Sequence, residues 1–154
     1  MHPQRRILHL ETLDDVVAEA KRLHESGYTP AGSWDLRQNL SHCGIFMEKS
    51  MDGFDFQLPW IWRLLGPLAL KFVLKSRTFK PGLPNPPGID PILDKSESEM
   101  LAWFQSVVQR VKEHPGEFHR SPLAGPLDRP TWRRLHIVHC SHHLGFLIPR
   151  SSAP

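Results

Sequence analysis

The chain has 154 residues, a formal net charge of +3, a hydrophobic fraction of 40% and a charged fraction of 23%. That length and composition suit one globular domain spanning residues 1–154, with a core that needs no disulfide support. The basic residues are scattered, and the short patches at Arg5–Arg6 and Arg129, Arg133 and Arg134 lack interleaved aromatics, so nucleic acid is not an expected partner.

Met1 to His9 read as an irregular arm without an export signal, because Arg5 and Arg6 come early and only Ile7 and Leu8 follow before polar residues return. A first helix begins after Thr12, with Asp15 in the position of the acidic partner of a capping box. Leu13, Val16, Val17, Ala20 and Leu23 form its apolar stripe, and Gly27 to Pro30 stop it. Ser33 is the candidate cap of a second helix, from Trp34 to about Met51. There Leu36, Leu40, Cys43 and Met47 face inward, and Asn39, His42 and Phe46 flank them.

Residues 52–91 read as an insertion. Trp60, Ile61, Trp62, Leu64, Leu65, Leu68, Leu70, Phe72, Val73 and Leu74 give an apolar helical run, bent or divided at Gly66-Pro67. It is too short and too interrupted by Arg63 and Lys71 for a membrane span, so it is expected to pack on the domain or on a second copy of the chain, with a surface-lying amphipathic helix as the lesser alternative and a membrane not an expected partner. The segment Lys80 to Gly88, rich in Pro and Gly, sustains neither helix nor central strand, and the insertion as a whole suits a lid or an oligomerisation surface built onto a smaller core.

Ser96 and Glu99 repeat the capping-box signature and open a helix to about Glu113, with Met100, Leu101, Phe104, Val107, Val108 and Val111 on one side and Trp103 widening it. His114-Pro115-Gly116 ends it, and a connector carries His119. Asp128 caps the last helix with Pro130 in its first turn. Trp132, Leu135, His139, His142 or His143, and Phe146 trace its inner side. With no alternating strand pattern, the expected fold is all-α: a four-helix bundle with an additional helical insertion between the second and third core helices.

His139 and His143 are four positions apart, so in a helix their imidazoles rise from one face roughly 6 Å apart, within reach of one metal ion. His42 is the best third ligand. Trp34, Trp132 and Phe146 suit pocket walls, while Gln38, His119, His136 and His142 suit supporting or pocket-edge roles. Cys43 and Cys140, the only two cysteines, read as small buried apolar residues in a reducing, cytoplasmic setting.

Three stretches carry a wider resemblance: GSWDLRQNLSHC from Gly32 to Cys43, the connector from His119 to Gly125, and TWRRLHIVHCSHHL from Thr131 to Leu144. Together they resemble the DinB-like superfamily, and within it the DUF1569 branch. The resemblance implies a bundle, often a homodimer, holding one divalent metal at His42, His139 and His143. It also implies relatives that are metal-dependent transferases or isomerases using low-molecular-weight thiols. Three imidazoles suit Zn, Ni or Fe(II) with an open position. The leading expectation is a metal-dependent enzyme transferring such a thiol to an electrophilic small-molecule substrate. A metal-dependent hydrolase and a non-enzymatic metal-binding bundle acting as a stress-associated interaction module are the alternatives.

Overall fold

The computed structural model describes residues 4–150; Met1 to Pro3 of the arm and the Ser151 to Pro154 terminus lie outside them. Among the described residues five helices form an all-α bundle: α1 (Leu13–Ser26), α2 (Leu36–Asp52), α3 (Trp60–Ser76), α4 (Glu97–Glu113) and α5 (Arg129–Leu144). Helices α1, α2, α4 and α5 make the core, with α3 as the inserted helix. Helix α2 packs chiefly on α4 and also on α5, while α1 closes against both α4 and α5.

Local chemistry sets most helix starts. The Thr12 hydroxyl accepts from the Asp15 amide at 3.0 Å and the Asp15 carboxylate accepts from the Thr12 amide at 2.8 Å. Ser96 and Glu99 do the same at α4, and Asp128 caps α5 through the Thr131 amide at 2.9 Å. Helix α2 departs from expectation, since its cap is Asp35 rather than Ser33. Asp35 accepts from the Gln38 amide at 2.8 Å and Gln38 accepts from the Asp35 amide at 2.9 Å. The reason is visible in the spacing: Gln38 lies three after Asp35, whereas Leu36 lies three after Ser33 and cannot complete a box.

The stripes meet in one core of Val16, Ala20 and Leu23 with Leu36, Leu40 and Met47, Phe104 and Val111, and Trp132. Val17 is only half-buried. Glu19 is buried in its place, held by Arg6 at 2.7 Å and Arg22 at 2.9 Å. The close approach of α2 and α4 depends on Gly44, where a Cβ would overlap the Trp103 ring.

A short sheet, absent from the helical expectation, ties the connector after α1 to the chain beyond α5. Strand β1 (Tyr28–Pro30) pairs antiparallel with β2 (Leu147–Pro149), matching Thr29 with Ile148. Three residues per strand are too few to give an alternation signal. The ladder is extended by Ala31 N–H donating to the Phe146 carbonyl at 2.7 Å.

Helix α3 runs unbroken through Gly66 and Pro67, so the insertion is not divided there. It seats on the rest of the chain through Gly66 and Leu70, with Val73 and Leu74 half-buried, and leaves most of its large apolar side chains exposed. The packing expected for this run is therefore confined to one narrow face. The segment after it is not free-standing either. Ile89 is buried, and Ser41 on α2 pins Ile92 from both sides, its hydroxyl donating to the Ile92 carbonyl at 3.0 Å and accepting from the Ile92 amide at 2.8 Å. No helix among the described residues is long and apolar enough to cross a membrane.

Candidate metal centre

Helix α5 presents His139 and His143 one turn apart, and α2 presents His42 opposite them. Their Nε2 atoms converge: His139 Nε2 stands 3.1 Å from His42 Nε2 and 3.1 Å from His143 Nε2, and one ligand atom from each residue lies within 4.8 Å of the others. Two nitrogens each about 2.0–2.1 Å from one tetrahedral ion stand roughly 3.3–3.4 Å apart, so the two separations to His139 are within a few tenths of an ångström of those between ligands of one ion. The donor chemistry fits too, since the set consists of three imidazoles, with neither carboxylate nor thiolate among them.

Tautomer and charge favour ligation. His42 is buried, and its Nδ1–H donates to the Ile89 carbonyl at 2.7 Å, which leaves the Nε2 lone pair facing the other two rings. Burial holds the His42 pKa below the ordinary imidazole value, despite the opposing influences of the Ile89 carbonyl and Asp90. Burial, then the neighbouring imidazoles, holds His139 and His143 well below it. All three rings are therefore neutral near pH 7, the form that binds a metal. His139 Nδ1 is buried without a hydrogen-bond partner, so His139 lacks the outer support that Ile89 gives His42.

Aromatic rings wall the cluster. Trp34 stacks on His143 at 5.6 Å between ring centres and tilts against His42 at 5.2 Å. Phe46 and Phe79 meet His139 edge-on at 4.8 and 5.6 Å. Phe79 was not singled out from the sequence as a wall, because it lies in irregular chain beyond α3 where periodicity says nothing.

The remaining candidates divide. His142 sits beside the triad but is engaged outward, its Nδ1 accepting from the Arg5 guanidinium at 2.9 Å; burial and then Arg5 push its pKa down to about 4. Arg5 also donates to Thr78 at 3.1 Å and lies over the Phe146 ring at 5.5 Å. Phe146 thus flanks His142 at 5.3 Å. His136 is fully buried and stacks on Trp132 at 5.3 Å, with Nε2 3.0 Å from the Ser50 hydroxyl and Nδ1 unpartnered; burial pushes it down to about 3. Trp132 is a core residue behind the site rather than a wall of its mouth. Gln38 is occupied in the α2 capping box. His119 lines a separate surface cleft with Phe54, Arg63 and Arg120, to which none of the three clustered histidines contributes. Cys43 and Cys140 are buried outside the donor set, and burial raises the Cys43 thiol well above its usual value.

A family model described as "Protein of unknown function (DUF1569)" matches residues 2–150. The chain belongs to the DUF1569 family. No curated protein and no solved structure gives a significant match to it. Among the described residues of this DUF1569 member, His42, His139 and His143 are the group suited to holding a metal ion.

Proposed function

We propose that the chain is a metal-dependent enzyme whose His42, His139 and His143 hold one divalent ion, Zn, Ni or Fe(II), for transfer of a low-molecular-weight thiol to an electrophilic small-molecule substrate. The observation that carries the reading is the convergence of three neutral Nε2 donors, one of them oriented by the Ile89 carbonyl. The likeness of Gly32–Cys43 and Thr131–Leu144 to the DinB-like superfamily supports it, because thiol-using metal-dependent transferases and isomerases occur there.

A divalent ion held by these three histidines would supply a Lewis acid able to lower the pKa of a bound thiol or water. The chain's own residues do the rest. His42, His139 and His143 would supply three neutral nitrogens to such an ion, and a three-ligand donor set is the kind that admits an exogenous ligand. Trp34, Phe46 and Phe79 exclude water from one side and offer apolar surface to the body of a substrate. Arg5 holds His142 away from the donor set by occupying its Nδ1.

The test is metal analysis of the purified chain followed by thiol titration of its Co(II)-substituted form. Stoichiometric metal in the parent, with most of it lost in both His139→Ala and His143→Ala, is expected, together with a sulfur-to-cobalt charge-transfer band on adding thiol. Unchanged stoichiometry and affinity in both variants would overturn the metal site. A metal-loaded chain that ignores thiols and hydrolyses esters or amides would replace the transferase with the hydrolase.

A further inference from the structure

Helix α3 turns an apolar face away from the protein. Ile61, Leu64, Leu65, Leu68 and Phe72 recur at helical spacing opposite the seat made by Gly66 and Leu70, and Leu64, Leu68 and Phe72 are 68%, 71% and 70% exposed. Trp60 at the start of the helix is 73% exposed. A contiguous face of this kind on a helix otherwise anchored to the fold calls for an apolar neighbour.

The charge around the face selects that neighbour. From Phe56 to Gly88 the sequence contains no Asp or Glu, while it contains Arg63, Lys71, Lys75, Arg77 and Lys80. Arg77 is taken up by Glu11 at 2.6 Å, but Arg63, Lys71, Lys75 and Lys80 are all exposed. Lys71 borders the apolar stripe and Lys75 continues it at its C-terminal end, so their aliphatic stems can follow it while their ammonium groups reach outward. A two-fold contact between identical copies would bring this acid-free cationic patch onto its own image, with no carboxylate in the segment to offset it. An anionic lipid surface answers both features: acyl chains for Ile61, Leu65, Leu68 and Phe72, headgroups for the cations, and the interface for Trp60.

We infer that α3 is an interfacial docking helix that lies on, without crossing, a membrane surface bearing anionic lipid. At 17 residues, interrupted by Arg63, Lys71 and Lys75, it has the length and charge of a surface-lying helix rather than a spanning one. This inference does not depend on the metal site.

The experiment is co-sedimentation of the full chain with phosphatidylcholine vesicles and with mixed phosphatidylcholine–phosphatidylglycerol vesicles, at low and high salt. The parent should partition onto the mixed vesicles, weaken with salt and ignore phosphatidylcholine alone. Leu68→Glu with Phe72→Glu, and separately Lys71→Glu with Lys75→Glu, should each reduce that partitioning by roughly tenfold or more. Both pairs alter exposed positions, so unchanged circular dichroism is expected to show intact helices. A parent that stays in the supernatant with both vesicle types, or that binds both equally, overturns the inference. So does a dimer in sedimentation equilibrium that Leu68→Glu with Phe72→Glu dissolves in the absence of lipid binding, which would assign the face to a second copy.

Discussion

His42 donates its Nδ1–H to the carbonyl of Ile89 at 2.7 Å, so a backbone group in the irregular segment after α3 sets the tautomer of an imidazole on α2. The consequence reaches the candidate site, because that tautomer turns the Nε2 lone pair toward His139 at 3.1 Å. The exit of the insertion is thereby part of the site's support. Its hold on α2 is Ser41, the residue before His42, which makes two hydrogen bonds to Ile92.

Ser41→Ala should therefore weaken metal binding without removing a ligand. Losing both bonds to Ile92 frees the stretch that carries the Ile89 carbonyl, and outer supports of metal-bound histidines typically contribute about 10–100-fold in affinity. Competition with a chromophoric chelator should show a drop of about tenfold or more with helical content retained. Unchanged affinity would mean that buried Ile89 holds its place by packing alone.

The α2 cap separates two residues that look equivalent by type. Asp35→Ala removes an acceptor of the Gln38 amide at 2.8 Å and should cost about 1 kcal/mol, whereas Ser33→Ala, outside the box, should cost close to nothing. Denaturant melts of the two variants decide it, and equal losses would contradict the assigned cap.

What was legible in the sequence is what depends on near neighbours. The capping pairs Thr12/Asp15 and Ser96/Glu99, the Asp128 cap and the stripes of α1 and α4 are short-range patterns, and the helices follow them. The four-residue spacing of His139 and His143 was equally local, but bringing His42 to them required α2 to pack on α5. The β1–β2 ladder, the Ile89 carbonyl, Phe79 beside His139 and the burial of Glu19 by Arg6 all depend on distant chain segments. A backbone acceptor has no residue type to announce it, and a three-residue strand shows no period. That residues 60–76 are helical was legible, although Gly66-Pro67 does not divide the helix. Its outward apolar face was not, because hydrophobicity alone reads as burial until the packing is known.

Gly66 governs how α3 sits. A Cβ there would overlap the backbone carbonyl of Leu123, which cannot rotate away as a side chain tip could. Gly66→Ala should destabilise the docking of α3 by about 1–3 kcal/mol, the usual range for overpacking, although alanine favours the helix itself. Hydrogen exchange should report this as faster exchange over residues 60–76, with the four core helices little changed. Uniform protection in the variant would show that the connector yields.

His136 gives the fold an acid-sensitive point away from the three converging nitrogens. The Ser50 hydroxyl donates to the Met47 carbonyl at 2.6 Å, so it accepts from His136 Nε2–H at 3.0 Å, and the ring is held neutral in the core. Burial lowers its pKa to about 3, against about 6.5 in the unfolded chain. Between these values the unfolded state binds the extra proton. Stability from this group is therefore fully present above about pH 6.5 and is lost as pH falls toward about 3, at a slope approaching about 1.4 kcal/mol per unit. His136→Phe keeps an aromatic ring against Trp132 and removes the titration, so its stability should fall less steeply over that window than the parent's. Urea melts at stepped pH measure both slopes, and identical slopes would show that His136 gains a proton in the folded state as readily as in the unfolded one.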